Sequence, residues 1–277
     1  MSTQNDDALF HPDGDLWVPR DFSRGPWSPD ALHGGPVAAL IGRAVTRCPS
    51  DEEMHVARLT VELLRPVPVV PLSVSTTVSR PGRKVQLVDV RVTSAGQDLA
   101  WGRALRIRRL AEGSDAAFGL ADVTTEGPVP GRDAGAPPGP DDGHRSPGPV
   151  QGYSAFHSDG AELRFVVGEF GRRGPSTVWV RLAVPVVPGE TPSSLERVAA
   201  ASDFGNGVSS LFDFQNYLFI NPDLSVFIDR PAVDEWIGLE ARTTLGTAGV
   251  GLAQSVLWDV QGPLGTSLQN LLVERRT

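Results

Sequence analysis

Short apolar runs separated by turn-forming residues recur along this chain of 277 residues. Four such runs in the first half are rich in β-branched residues, and apolar and polar positions alternate most clearly in the third. They are predicted strands at 56–64, 72–79, 85–93 and 99–107. Pro-Gly at 81–82 and Ala-Gly at 95–96 are typical of hairpin turns. The pattern therefore predicts an antiparallel meander.

A helical pattern precedes these strands. Gly34 and Gly35 open it, and Pro36 suits a first helical turn. Apolar residues then recur at helical spacing, at Val37, Leu40, Ile41 and Ala44. Because nearly every position up to Cys48 is apolar or small, we expect this helix to be buried on most sides.

The second half of the chain repeats this arrangement. Arg65-Pro66 and Arg230-Pro231 lie 165 positions apart (230 less 65), and strand-like runs follow each pair. At that offset the apolar residues coincide, as Leu72 does with Ile237, Val85 with Val250, Leu87 with Leu252 and Leu99 with Leu264. Further strands are predicted at 176–184, 219–228, 236–244, 250–258 and 264–273, with a helix at 193–202. One helix and about five antiparallel strands, occurring twice, is the predicted architecture.

Certain polar residues break the repeat. At the same offset Asn221 falls on Val56, and Gln269 falls on Ala104. A duplicated fold that keeps its apolar positions but differs at a few polar ones indicates that one half holds a site and the other supports it.

Composition divides the chain into four parts. Residues 1–15 are predicted to be a flexible leader and 16–110 the first half. Residues 111–150 are rich in Gly and Pro and cannot bury enough apolar surface to offset chain entropy, so they are predicted to be a mobile connector. Residues 151–277 form the second half, which carries the polar differences.

The bulk properties exclude several classes of protein. A net charge of −8 argues against a nucleic-acid partner. The single Cys48 excludes a disulfide framework, and the five His residues show no metal-ligand spacing, so no metal or cofactor is implied. No apolar run reaches the roughly 20 residues of a membrane span. The acidic N-terminus lacks the order of a signal peptide, so we expect a cytoplasmic protein.

The blocks HGGPVAALIG, LLRPVP, ASDFGNG and FINPDLSVFIDRP resemble the double hot-dog acyl-CoA thioesterases, namely the bacterial type II group and its actinobacterial relatives. The resemblance implies an α+β fold in which two antiparallel sheets each wrap around a central helix. It also implies an acyl tunnel between the halves. In that family an Asp on the second helix, a Thr or Ser on the next strand and a Gln on the last strand hold the water that attacks the thioester.

Carried over residue by residue, the Asp matches Asp203 and the Gln matches Gln269, whereas the hydroxyl position falls on Asn221. An amide can hold a water by hydrogen bonds much as a hydroxyl does. The glycine pair matches Gly34-Gly35, which begins the helix that faces the acyl carbonyl in the family. His33 directly precedes that pair and is a candidate either for a base or for contact with the acyl group.

These residue types suit thioester hydrolysis. A partly desolvated Asp can act as a base, and a backbone amide approached closely at a glycine pair can stabilise an oxyanion. Each residue also has a plain structural interpretation: Asp203 as a helix terminator, Asn221 as a turn residue, Gln269 as an outward strand residue and His33 as a helix cap.

Three functions follow from these alternatives. The first is hydrolysis of an acyl-CoA or carrier-bound acyl thioester. The second is a lyase that hydrates or dehydrates an acyl thioester, and the third is a non-catalytic acyl-thioester binder. The resemblance further implies a homodimer or homotetramer.

Overall fold

The computed structural model describes residues 7–110, 135–146, 148 and 152–276. The first half contains β1 (Phe10–Asp13), β2 (Leu16–Pro19), α1 (Gly34–Arg47), β3 (Met54–Leu63), β4 (Leu72–Arg80), β5 (Val85–Ser94) and β6 (Gln97–Arg108). The second half contains β7 (Ala161–Val167), β8 (Ser176–Leu182), α2 (Ser194–Ser202), the short α3 (Gly205–Val208), β9 (Tyr217–Ile220), β10 (Asp223–Ile228), β11 (Ile237–Leu245), β12 (Val250–Asp259) and β13 (Gly262–Arg275). The elements that the pattern predicted after residue 30 are thus present, with ends shifted by a few residues.

In the part of the chain that the structure describes, all of the strands belong to one antiparallel sheet, in which the strands of the two halves lie side by side. The strand order is β1-β2-β4-β5-β6-β3-β10-β13-β12-β11-β8-β7, and β9 pairs with β13. The halves meet where β3 pairs with β10. Each of these strands would otherwise leave its backbone groups unpaired at a sheet edge, and their pairing removes both edges.

The repeat seen in the sequence is a symmetry of this junction. At the offset of 165 positions, β4 superposes on β11 and β5 on β12 with the same ends. Thr60 and Ser225 are equivalent at this offset, and they are directly opposite each other across the junction. Their flanking partners exchange roles, since Glu62 lies opposite Asp223 while Arg58 lies opposite Phe227. The halves are therefore related by an approximate twofold axis that passes between Thr60 and Ser225.

The two helices pack on each other against the buried face of the sheet. Small residues allow the close approach: a Cβ added to Gly42 would lie 3.3 Å from the Leu195 Cγ, and one added to Gly35 would lie 2.7 Å from the Ala200 oxygen. This packing places the beginning of α1 beside the end of α2, which brings together parts of the chain that are far apart in sequence.

The prediction of a flexible leader is wrong for the residues that the structure describes. Ala8, Leu9 and Phe10 are fully buried, and β1 pairs with β2. The Leu9 amide also donates to the Pro185 oxygen at 2.9 Å, which ties the leader to the second half. A run of three apolar residues is too short to show a period, so its burial depends on a partner surface that only the folded chain provides.

Part of the predicted connector packs against the second half. The Trp179 indole donates to the Pro138 oxygen at 2.7 Å, and His144 forms a bridge with Phe165. Arg145 pairs with Glu162 at 2.7 Å. The remaining connector residues, 111–134, 147 and 149–150, lie outside the described residues.

We expect the ion pairs of Glu162 to make stability depend on pH. The Glu162 side chain is only 9% exposed and contacts Arg145, Arg164 and Arg181. Burial acts to raise its pKa, but the three guanidinium groups outweigh burial and lower the pKa from 4.5 to about 2. A lowered pKa stabilises the fold above the ordinary value, and that contribution is lost as the pH falls from 4.5 to about 2.

Glu162→Gln should therefore lower the free energy of unfolding at pH 7 by about 1–2 kcal/mol, a figure reduced for the solvent exposure of two of the arginines. Urea unfolding at several pH values checks this, and the gap between parent and variant should close toward pH 2. Glu235→Gln is the matched control, because Glu235 is 73% exposed and reaches the same Arg181 at 3.6 Å. Equal losses in both variants would contradict the prediction.

Candidate active site

Asp203 caps the end of α2 and lies in a nearly closed environment. Only 7% of the Asp203 surface is exposed. Its Oδ1 accepts hydrogen bonds from Asn221 Nδ2 at 2.9 Å and from Gln269 Nε2 at 3.1 Å. Its Oδ2 lies 2.8 Å from His33 Nδ1. The helix terminator is thus also the centre of a polar cluster whose members come from both halves of the chain.

Gln269 points inward from β13, which excludes the interpretation as an outward strand residue. Gln269 is only 2% exposed. Ala104, at the equivalent position of β6, is also buried. The Gln269 Oε1 accepts from the Asn206 amide at 2.9 Å, and its Nε2 donates to the Asp203 backbone oxygen at 3.2 Å. Because the oxygen of the Gln269 amide is taken by an N–H, the NH₂ group must face Asp203.

Asn221 lies at a break in the strand, between β9 and β10. Its Nδ2 donates to Asp203 and also to the Asp223 backbone oxygen at 3.1 Å. The equivalent strand of the first half is irregular at the same place, since the pairing of β3 with β6 shifts register between Val56 and Arg58. In the second half Pro222 occupies this point, so the irregularity becomes an interruption that turns the Asn221 side chain toward the site.

His33 and the glycine pair form the opposite wall of the cluster. His33 is the N-cap residue of α1, and the Gly35 amide lies 3.0 Å from its Nδ1. The imidazole packs beside the stacked rings of Phe156 and Phe204, with both centroids 5.1 Å away. His33 is therefore the cap of α1, and the same ring nitrogen contacts Asp203.

An apolar cavity of 480 Å³ opens beside this cluster, at the junction of the two halves. This volume lies in the range of about 300–1,000 Å³ that is usual for small-molecule sites. Three mutually packed rings contribute to its wall, with Trp27 4.9 Å from Phe214 and 5.2 Å from Phe219. Exposed Arg65 is the one Arg or Lys side chain lining the cavity within the described residues. The cavity thus combines an apolar chamber, a buried carboxylate and a cation near the surface.

Sequence reasoning missed Asn206. This residue lines the cavity and is 6% exposed. The Asn206 backbone N–H donates to Gln269 Oε1 and so orients that side chain. The Asn206 Nδ2 donates to the Phe219 backbone oxygen at 3.0 Å. The Asn206 Oδ1 is buried and has no hydrogen-bond partner among the described residues. In the block ASDFGNG it was indistinguishable from the neighbouring turn residues, and only its burial separates it from them.

Gly34 is required for the space that Asp203 occupies. A Cβ at residue 34 would lie 2.7 Å and 2.9 Å from the two carboxylate oxygens. We expect Gly34→Ala to displace Asp203 and to lower kcat/KM for an acyl thioester by about 100-fold, the usual cost of misplacing a reacting group by an ångström. Circular dichroism and thermal unfolding should show a folded protein.

Gly207→Ala is the matched control for this substitution. Gly207 also lines the cavity, but a Cβ there meets no atom within 4 Å. A loss of activity that is as large in Gly207→Ala as in Gly34→Ala would contradict a specific role for the space at Gly34.

Neither a cluster of metal-binding side chains nor a membrane-spanning helix is present among the described residues. Within residues 7–110, 135–146, 148 and 152–276, no group of three His, Cys, Asp or Glu side chains is placed to hold a metal ion. Over the same part of the chain, no helix has both the length and the apolarity needed to cross a membrane.

Sequence models of the N-terminal and C-terminal domains of acyl-CoA thioesterases match residues 23–108 and 131–273. The chain belongs to this family, as its resemblance predicted. No curated protein matches it in sequence.

Solved structures share the fold over nearly the whole chain. A hot-dog protein of unknown function from Alicyclobacillus acidocaldarius superposes with a TM-score of 0.70 at 17% identity, covering 100% of this chain and 99% of its own. The tesB protein of Mycobacterium avium subsp. paratuberculosis gives 0.65 at 16%, with 96% of each chain covered. The acyl-CoA thioesterase II TesB2 from Mycobacterium marinum gives 0.61 at 16%, covering 89% and 92%. At these identities the likeness establishes the hot-dog fold.

Proposed function

We propose that this thioesterase hydrolyses an acyl-CoA, or an acyl group on a carrier protein, with a water that Asp203 activates. The observation that carries the proposal is the cluster at the end of α2. There a buried carboxylate is held by two side-chain amides and borders an apolar cavity. We also propose that each half-sheet wraps its own helix, and that the protein is a cytoplasmic homodimer or homotetramer, as the family resemblance implies.

Each part of the site has a task in this reaction. The acyl chain fits the apolar cavity, and Arg65 is suited to a phosphate of coenzyme A. Asp203 supplies the basic charge, while Asn221 and Gln269 hold its carboxylate in place and can orient the water. The beginning of α1 at Gly34-Gly35 offers backbone N–H groups to the oxyanion, and one such donor is typically worth about 2.7–4 kcal/mol.

Water attack needs no covalent intermediate. Water adds to the thioester carbon, the tetrahedral intermediate carries its negative charge on oxygen, and the carbon–sulfur bond then breaks. The products are a free acid and a thiol. The replacement of the family's hydroxyl by Asn221 keeps a polar group on Asp203, because the amide nitrogen bonds directly to the carboxylate.

Thiol release from a panel of short to long acyl-CoAs tests the proposal, with the acyl product followed by mass spectrometry. A hydrolase releases thiol and free acid. A lyase changes the acyl mass by one water and leaves the thioester intact, and a binder leaves the substrate unchanged. Release from no member of the panel, nor from acyl-carrier thioesters, would refute the proposal.

A further inference from the structure

One ring nitrogen of the histidine that caps α1 contacts two groups, and it can form a hydrogen bond with only one of them at a time. His33 Nδ1 lies 2.8 Å from Asp203 Oδ2 and 3.0 Å from the Gly35 nitrogen. A ring nitrogen carries either a proton or one lone pair. It can therefore donate to the carboxylate or accept from the amide, but not both.

The surroundings of Asp203 decide between these two states. The Oδ1 atom accepts from two amide NH₂ groups, which match an ionised carboxylate as acceptor. A contact of 2.8 Å between Nδ1 and Oδ2 also needs a proton between the two atoms. With the carboxylate ionised, this proton belongs to Nδ1.

That tautomer fixes the role of each ring nitrogen. Because Nδ1 carries the proton, it donates to Asp203 and does not accept from Gly35. The lone pair of the neutral imidazole then lies on Nε2. The His33 side chain is 10% exposed and lines the cavity together with Asp203, so this base borders the substrate chamber.

We propose that His33 Nε2 is the group that takes the proton from the attacking water, and that Asp203 acts through it as a positioning residue. This inference rests on the proposed hydrolysis. As the water oxygen bonds to the thioester carbon, its proton moves to Nε2. When the carbon–sulfur bond breaks, the thiolate takes the same proton from Nε2. The products are acid and thiol, and the dyad returns to its starting state.

The arrangement follows the logic by which a buried Asp holds an imidazole in the correct tautomer for water or hydroxyl activation. His33 also packs against the mutually stacked rings of Phe156 and Phe204, whose centroids each lie 5.1 Å from that of the imidazole. A fixed ring and a fixed tautomer are what a base of this kind requires.

A double-mutant cycle on kcat/KM for acyl-CoA tests the dyad. His33→Asn keeps an N-cap side chain that can accept from the Gly35 amide, so α1 should stay intact. We expect His33→Asn and Asp203→Asn each to lower kcat/KM by about 100-fold or more. The double variant should be no worse than the poorer single one, because the two residues act as a unit. His55→Asn is the control, since that imidazole bonds the Ile228 oxygen away from the cavity.

The leaving group provides a readout that a purely structural cap would not change. A thiolate from a nitrothiophenyl thioester departs without protonation, whereas the coenzyme A thiolate benefits from the proton on Nε2. The loss in His33→Asn should therefore be about tenfold smaller on the aryl thioester.

Near-parent activity of a folded His33→Asn, alongside an inactive Asp203→Asn, would overturn the dyad and leave the proposed hydrolysis standing. Equal losses of His33→Asn on both thioesters would overturn its role as proton donor to the leaving group. Failure of the parent to release any thiol would instead refute the hydrolysis itself.

Discussion

Replacing Asp203 by Asn should lower kcat/KM for an acyl-CoA by about 100-fold to 10,000-fold, the usual contribution of general acid–base catalysis. The substitution conserves shape but removes the charge on which the site depends. The carboxylate Oδ1 accepts from Asn221 and Gln269, and Oδ2 faces His33. An amide at residue 203 would present an NH₂ group to some of these donors, which also disrupts the cluster. Steady-state thiol release and thermal unfolding of the same preparation check this result.

Asp223→Asn is the matched control for that substitution. Asp223 is a nearby residue at the start of β10, and its carboxylate accepts from the backbone and side chain of Asn270, whereas only its backbone oxygen accepts from Asn221. We expect its replacement to leave the turnover of acyl-CoA unchanged. If both variants lost activity alike, general loss of charge at this end of the sheet would explain the result, and the specific role of Asp203 would be contradicted.

Arg230→Ala should be the most damaging single change to stability. Arg230 forms two hydrogen bonds to Asp259, at 2.7 and 2.6 Å, and the Asp259 side chain is completely buried. Burial acts to raise the pKa of Asp259, but hydrogen bonds from Arg230 and from the Val233 and Gln261 amides outweigh it and lower the pKa. Removing Arg230 leaves a buried carboxylate without its cation, which costs about 3 kcal/mol. Urea unfolding at neutral pH measures this loss.

The equivalent arginine of the first half is the informative control. At the offset of 165 positions Arg65 corresponds to Arg230, while the position equivalent to Asp259 is occupied by Ser94. Arg65 is exposed and lines the cavity. Arg65→Ala should therefore leave the free energy of unfolding unchanged and raise KM for coenzyme A esters. A loss of stability in Arg65→Ala equal to that in Arg230→Ala would contradict this division between a structural and a ligand-facing arginine.

The two arginines occupy equivalent positions of the repeat but differ in their structural role. The Arg-Pro pairs mark the duplication correctly, and β4 and β5 superpose on β11 and β12 at the predicted offset. The roles of the two arginines differ because Asp259 has no acidic counterpart. That difference was readable in the sequence only after the hairpin partners of each strand were known.

The site was partly predictable from the resemblance to the thioesterase family. The residues that it indicated lie together in the structure with His33, which precedes the glycine pair: Asp203, Asn221, Gln269 and Gly34-Gly35. Asn206 was not predicted, because its neighbours form a turn and its side chain gives no periodic signal. The distance from Nδ1 of His33 to the carboxylate, on which the dyad depends, is likewise set by the packing of α1 on α2.

The sequence by itself determined most of the strands, the two long helices, the duplication and the residues that differ between the halves, because these follow from local apolar periods and from order along the chain. Only the tertiary structure decided that β3 and β10 join the halves into one sheet, and that the leader residues Ala8–Phe10 are buried. These features depend on contacts between residues far apart in sequence. Such contacts are chosen by the pairing of backbone edges and by the fit of buried surfaces, which no local pattern records.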